Sequence, residues 1–131
     1  MDKISVITTL YKSENYIREL YQRTTQTLNE LGVQYEIIFV DDCYNDNALE
    51  IAKSLLKNDQ NIKIIKLSRN FGQHAAINAG ISNADGDWFV VIDSDLQDRP
   101  EEIKRLYQKS KEGYDIVLAQ RVKRKDSFIK K

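Results

Sequence analysis

The sequence contains one cysteine and one histidine. A single thiol, Cys43, excludes an intrachain disulfide and fits a reducing compartment. A single imidazole, His74, excludes a metal site built on paired histidines. Net charge is absent too: 20 basic residues balance 20 acidic ones, so no global field advertises a nucleic-acid partner. No apolar run approaches the roughly 20 residues that span a bilayer. The opening Met-Asp-Lys-Ile lacks the pattern of a secretory signal. Neither Gly-x-Gly-x-x-Gly nor Gly-x-x-x-x-Gly-Lys occurs, which argues against a dinucleotide fold and against a P-loop ATPase.

What is present is a well-patterned chain of 131 residues, 41% hydrophobic, enough for one domain around one core. Ile4–Leu10 reads as a first strand. Ser13 is a candidate cap for a helix whose apolar positions are Ile17, Leu20, Tyr21, Thr24, Leu28 and Leu31, ended by Gly32. Tyr35–Val40 reads as strand two. A helix then opens near Asp46, with Ala48, Ile51, Ala52, Leu55 and Leu56 on one face. Ile62–Leu67 reads as strand three, Gln73–Ser82 as a short helix and Trp88–Asp93 as strand four. Pro100 suits a first helical turn, with Glu101 and Glu102 favourable to the dipole. Ile103, Leu106 and Tyr107 form that helix's inner face, and Gly113 closes it. Ile116–Ala119 reads as strand five. Strands alternating with helices predict an α/β fold with a mostly parallel sheet. Right-handed crossovers then bring all strand ends of one sense to one edge, where ligands of open α/β sheets bind.

The chemistry concentrates at that edge. Strand two ends in Asp41-Asp42 and strand four in Asp93-Ser94-Asp95. Two acidic pairs at two strand ends suggest a shared site for a divalent cation and its phosphate ligand. Hard oxygen donors at Asp93, Asp95 and Gln97 suit Mg²⁺ or Mn²⁺. An isolated Asp-x-Asp is most simply a turn, and its placement opposite Asp41-Asp42 is what raises it above that. Asp46 is most simply a helix cap. Asp42 is placed to accept a hydrogen bond from a base N–H. Arg69 and Asn70 follow strand three; they read either as a surface loop or as groups reaching phosphate. His74 reads as structural and Cys43 as a turn residue. From Arg121 to Lys131 there are six Lys or Arg and one acid. Such a segment is either a solvated tail or a basic stretch that meets anionic lipid.

The motifs resemble glycosyltransferase family 2, with its GT-A fold, and most closely its polyprenyl-phosphate branch. Val40-Asp-Asp-Cys-Tyr-Asn-Asp-Asn47 is similar to that family's Val-Asp-Asp-Gly-Ser-x-Asp-x segment. Leu67-Ser-Arg-Asn-Phe-Gly72, with Ala75-Ala76 and Ala79-Gly80, resembles a block of the polyprenyl branch. Asp93-Ser-Asp-Leu-Gln-Asp-Arg-Pro-Glu101 is the most specific match. The resemblance implies strand order three-two-one-four and a nucleotide-sugar donor. It implies base recognition by Asp42, with Thr9, Tyr11 and Asp41 lining the same pocket. It also implies a metal and diphosphate at Asp93, Ser94, Asp95 and Gln97, and a basic contact from Arg121. There are departures. Thr9 stands where proline is usual, Lys12 where asparagine is usual, Ser13 where glutamate is common and Arg99 where proline is frequent. Cys43-Tyr44 replaces Gly-Ser.

The expected activity is sugar transfer from a UDP- or GDP-sugar to a polyprenyl phosphate or another glycan acceptor, in cell-envelope polysaccharide synthesis at the cytoplasmic face of a membrane. Residues 1–120 are expected to form the nucleotide-sugar-binding part. Residues 121–131 are expected to lead to a missing acceptor half, which would hold the membrane contact and any catalytic base. A fragment so cut is expected to be inactive by itself and to self-associate. Three other readings compete. A nucleotide-binding module without turnover shares every donor feature. A haloacid-dehalogenase-like phosphatase shares Val-Val-Ile-Asp-x-Asp but wants Thr or Val where Gln97 stands. A phospho-receiver domain wants its acidic pair after strand one, which here ends in Thr8-Thr9.

Overall fold

The computed structural model describes residues 2–114. Four parallel strands form one sheet: β1 Lys3–Leu10, β2 Gln34–Asp41, β3 Ile62–Lys66 and β4 Trp88–Val91. Their order is β3-β2-β1-β4, as expected. The register pairs Leu10 with Asp41, Asp41 with Lys66, and Ile7 with Val91. The ends of all four strands therefore share one edge. The expected strand at 116–119 and the basic segment from Arg121 lie outside the described residues.

Helices α1 (Ile17–Leu31), α2 (Ala48–Leu56) and α3 (Gln73–Ser82) connect the strands, and α4 (Ile103–Ser110) follows β4. Side chains alternate across a strand, so the sheet feeds two cores. Ile4, Val6, Ile37, Phe39 and Ile62 meet Ile17, Leu20, Leu28, Ala52 and Ile103 on one face. Ile7, Ile38 and Val40 meet Ala76 of α3 on the other. Gly80 lets α3 sit close: a Cβ there would lie 2.5 Å from Ile7 Cγ2. Helix α3 covers β1 and β2, and on its side of the sheet Phe89 and Val91 of β4 remain exposed.

Three local expectations need correction. Helix α1 starts at Ile17 behind Tyr16, with no side-chain cap. Ser13 contributes its backbone carbonyl to the Tyr16 and Ile17 amides, while its hydroxyl is buried without a partner. Pro100 opens a separate 3-10 turn, Pro100–Glu102, before α4. Leu56 is exposed, because it lies at the edge of the stripe that Ala48, Ala52 and Leu55 turn towards the core. Asp46 does cap α2: its Oδ1 accepts the Ala48 amide at 2.9 Å.

Charge fastens the amino edge of the sheet. Glu36, on the α3 face of β2, is 3% exposed. Its Oε2 accepts the Ser5 hydroxyl and the Asp85 amide, both at 2.6 Å, and Lys63 Nζ lies 2.9 Å from Oε1. Ser5 Oγ in turn accepts the Gly86 amide at 2.8 Å. The loop between α3 and β4 is thus tied to the sheet. Burial pushes the Glu36 carboxyl up, but its hydrogen bonds from Ser5, the Asp85 amide and Lys63 outweigh burial and hold it below its ordinary value.

Candidate functional site

The carboxyl edge holds a cleft of about 200 Å³ between the ends of β1 and β2 and the loop that enters α3. Thr9, Leu10, Tyr11, Asp42, Tyr44, Asn70, Gly72 and Gln73 line it. Four residues singled out in the sequence, Thr9, Tyr11, Asp42 and Asn70, are brought together there.

Asp42 is the floor of this cleft and is 8% exposed. Its Oδ1 accepts the Phe71 amide at 2.8 Å and its Oδ2 the Gly72 amide at 3.0 Å. One carboxylate therefore holds the loop that carries Asn70 and Gly72 against the end of β2. Each carboxylate oxygen accepts more than one hydrogen bond, so the same group retains acceptor capacity towards the cleft.

Asp41 does not join it. As the last residue of β2 it alternates with Val40 and shares the face of Ile37 and Phe39, with Asp42 following on the α3 side. Asp41 is buried and outside the cleft lining. The two neighbouring acids thus serve opposite faces. Arg69 is also outside the lining; its guanidinium lies 4.7 Å from the Phe71 ring centroid. His74 is exposed. Arg121 lies outside the described residues.

Tyr44, Gln73 and the backbone of Gly72 belong to the cleft without having been anticipated. The Tyr44 ring lies 4.7 Å from that of Tyr11, tilted by 60°, and Lys12 Nζ is 5.4 Å from the Tyr11 centroid. The sequence signal for Tyr44 was its departure from serine at that position. Cys43, just before it, has φ +62°, and Lys12 has φ +51°. Both are left-handed positions, where glycine and asparagine are the tolerant residues. The cysteine is exposed, and its Sγ donates to the Leu67 carbonyl at 3.1 Å.

The second acidic segment leaves the sheet after β4, on the other side of β1. Asp98 Oδ2 accepts the Asp93 amide at 3.0 Å, and Asp95 Oδ1 accepts the Gln97 amide at 3.1 Å. Leu96 between them has φ +64°. Ser94 is buried and Asp95 half-buried. Arg23 of α1 anchors the far end of the loop, with Nε 2.8 Å and a terminal nitrogen 2.6 Å from the two Glu101 oxygens. The hydrogen bond from Arg23 holds the Glu101 carboxyl below its ordinary range. Strand order places this loop two strand spacings, about 10 Å, from the end of β2.

Among the described residues no group of three His, Cys, Asp or Glu side chains is arranged to hold a metal. Asp93 and Asp95 are hard oxygen donors on one turn. Mg²⁺ is commonly held by one or two carboxylates with water and phosphate oxygens completing its shell. The donor set suits a cation shared with a phosphate ligand and does not suit an all-protein cage.

The sequence model of Glycosyl transferase family 2 matches residues 5–131. The chain belongs to glycosyltransferase family 2. Among relatives in that family, the undecaprenyl-phosphate 4-deoxy-4-formamido-L-arabinose transferase of Proteus mirabilis (strain HI4320) is 40% identical over 132 residues. That match takes in 100% of this chain and 40% of the relative, so the chain spans well under half of the relative's length. A crystal structure of S. aureus TarS 1-349 in complex with UDP-GlcNAc superposes with a TM-score of 0.62 at 30% identity, over 80% of this chain and 32% of that one. Mannosyltransferase PcManGT from Pyrobaculum calidifontis, in complex with GDP-Man and Mn²⁺, superposes with a TM-score of 0.61 over 70% of this chain and 27% of that one. At 18% identity it speaks to fold alone. Together with the strand order, these superpositions give this family 2 chain a GT-A-type α/β fold. Among the described residues no helix is long and apolar enough to cross a membrane.

Proposed function

We propose that the chain is the donor-binding part of a family 2 glycosyltransferase that moves a sugar from a nucleotide-sugar to a polyprenyl phosphate. One observation carries this reading: the Asp42 cleft and the Asp93–Asp98 loop flank the end of the same strand, β1. A nucleoside in the cleft, with its base edge against Asp42 and the wall of Thr9 and Tyr11, would point its diphosphate towards Asp93 and Asp95. Asp41 contributes by holding the strand end, and Arg69 and Asn70, on the loop that borders the cleft before α3, are the basic and amide groups available to the donor. The 40% identity to an undecaprenyl-phosphate sugar transferase supports the acceptor class.

Asp93 and Asp95, with Gln97, are the residues that would hold Mg²⁺ or Mn²⁺ with the diphosphate, and Ser94 packs beneath them. A bound cation supplies charge stabilisation to the departing diphosphate. The acceptor phosphate oxygen attacks the anomeric carbon, the bond from that carbon to the donor phosphate breaks, and the configuration inverts. A phosphate oxygen is ionised at neutral pH, so the attack needs little help from a general base. Arg121 and the basic segment after it are proposed to lie against the cytoplasmic leaflet beside the lipid acceptor.

Calorimetric titration with UDP and GDP, each with and without Mn²⁺, tests the reading. Binding of at least one of them, tightened by Mn²⁺, is expected. Absence of binding under all four conditions would remove the assignment. These 131 residues are expected to show no transfer to a polyprenyl phosphate, because orienting both substrates supplies about 7–11 kcal/mol of barrier lowering and the relatives devote most of their length to other parts.

A further inference from the structure

We propose that Tyr44 is a positioning residue of the nucleobase pocket, seating Tyr11 and building with it the aromatic wall on which the base of a nucleoside diphosphate stacks. The proposal rests on the donor-site reading above. It starts from the exposure of Tyr11, 54% on a loop beyond β1. A tyrosine more than half exposed is held in one rotamer only by the few groups that touch it. Tyr44 is one of them: 4.7 Å between centroids and a 60° tilt fall within the favourable range for an aromatic pair.

Tyr44 can do this because its backbone is held on both sides. Before it, Cys43 takes the left-handed turn and bonds to the Leu67 carbonyl. After it, the Tyr44 carbonyl accepts the Asp46 amide at 3.0 Å, and the Asn47 amide donates to Glu14 Oε2 at 3.1 Å. That last bond joins the β2–α2 loop to the β1–α1 loop, which carries Tyr11. The two loops are therefore tied by a hydrogen bond from a backbone amide to a carboxylate as well as by the contact of the rings.

The cleft they line has two unlike kinds of surface. Tyr11 and Tyr44, in contact with each other, offer ring carbon; Asn70 and Gln73 offer amide groups in the same lining as the Asp42 carboxylate. A flat heterocycle with apolar faces and a hydrogen-bonding edge matches that division. Serine stands at position 44 in the family pattern that this segment resembles, where this chain carries the second ring.

The test is calorimetric titration of the parent chain, Tyr44→Phe, Tyr44→Ser and Tyr44→Leu with UDP, GDP and inorganic pyrophosphate in Mn²⁺. Melting temperatures provide the check on folding. For whichever nucleoside diphosphate the parent binds, Tyr44→Phe should keep the affinity within about twofold, and Tyr44→Ser should lose about tenfold. Tyr44→Leu, which keeps bulk without a ring, should lose about as much and stands in if the serine variant does not fold. Pyrophosphate affinity should be the same in all four proteins. Unchanged nucleoside diphosphate affinity in both non-aromatic variants would overturn the proposal while leaving the donor site intact. An equal loss for pyrophosphate would also overturn it, because the residue would then be acting on the whole fold. A parent that binds no nucleoside diphosphate would remove both readings.

Discussion

Asp42→Ala should loosen the loop into α3 before it affects anything else. The carboxylate is buried and accepts the Phe71 and Gly72 amides at 2.8 and 3.0 Å. Hydrogen bonds to a charged group contribute about 1.5–3 kcal/mol each. The two amides belong to a loop open to water, with Phe71 48% exposed, so solvent recovers part of that loss. A net cost of about 2–3 kcal/mol follows for alanine. Asparagine retains one oxygen but turns an NH₂ towards an N–H donor, and about 1–2 kcal/mol is expected. Urea unfolding gives the magnitude, and amide exchange at Phe71 and Gly72 gives the location. Exchange at both amides should accelerate in Asp42→Ala, whereas amides of β1 should shift only by the global change in stability. If Asp42→Ala unfolded at the parent's urea concentration with both amides still protected, the clamp would not exist. Base discrimination has to be judged against this background: part of any affinity lost on removing Asp42 will come from Asn70, Gly72 and Gln73 moving away.

Cys43→Gly and Lys12→Asn should each raise thermal stability, by about 0.5–1 kcal/mol, because each places a tolerant residue at a left-handed position; melting of the single and double variants checks both, and a drop for either would refute the strain argument. Glu36→Gln should destabilise the fold. The native carboxyl lies below its ordinary value, so its contribution is complete above about pH 4.3 and is lost as pH falls through the lower native value; urea midpoints of parent and Glu36→Gln should therefore converge as the solution is acidified. Asp95→Asn should weaken Mn²⁺-dependent binding of nucleoside diphosphate by about tenfold or more while leaving the melting temperature near the parent's, and equal binding with and without Mn²⁺ in the parent would contradict the metal assignment.

Period and punctuation made the sheet legible. Ile4–Leu10 and Tyr35–Val40 are long apolar runs between polar breaks, and the helices between them show clear 3.6-residue faces, so the element order could be read directly. The strand order came with the family resemblance. What escaped the sequence was geometry set by neighbours far along the chain. Alternation at the end of β2 sends Asp41 and Asp42 to opposite faces, although as letters they form a pair. Asp42 meets amides 29 and 30 positions away, which no local pattern announces. Ser13 reads as a cap by residue type, yet its hydroxyl is buried and its carbonyl makes the turn. Tyr44 became visible only as an odd residue in a familiar motif, and its ring partner lies 33 positions earlier in another loop. The left-handed backbone at Lys12 and Cys43 was foreshadowed by the same kind of mismatch.

The ties around Glu36 sit at the opposite edge from the cleft, and that separation has a consequence for time as well as for strength. A carboxylate bonded to β1, to the α3–β4 loop and to Lys63 of β3 fastens three segments distant in sequence at one point. Such a knot must break late in unfolding and should exchange its amides slowly. At the carboxyl edge Asp42 holds one loop through two amides and Glu14 holds another through one, so these loops can open and reclose on a ligand many times within one lifetime of the folded sheet. Residence of a nucleotide and survival of the protein would then run on two different clocks.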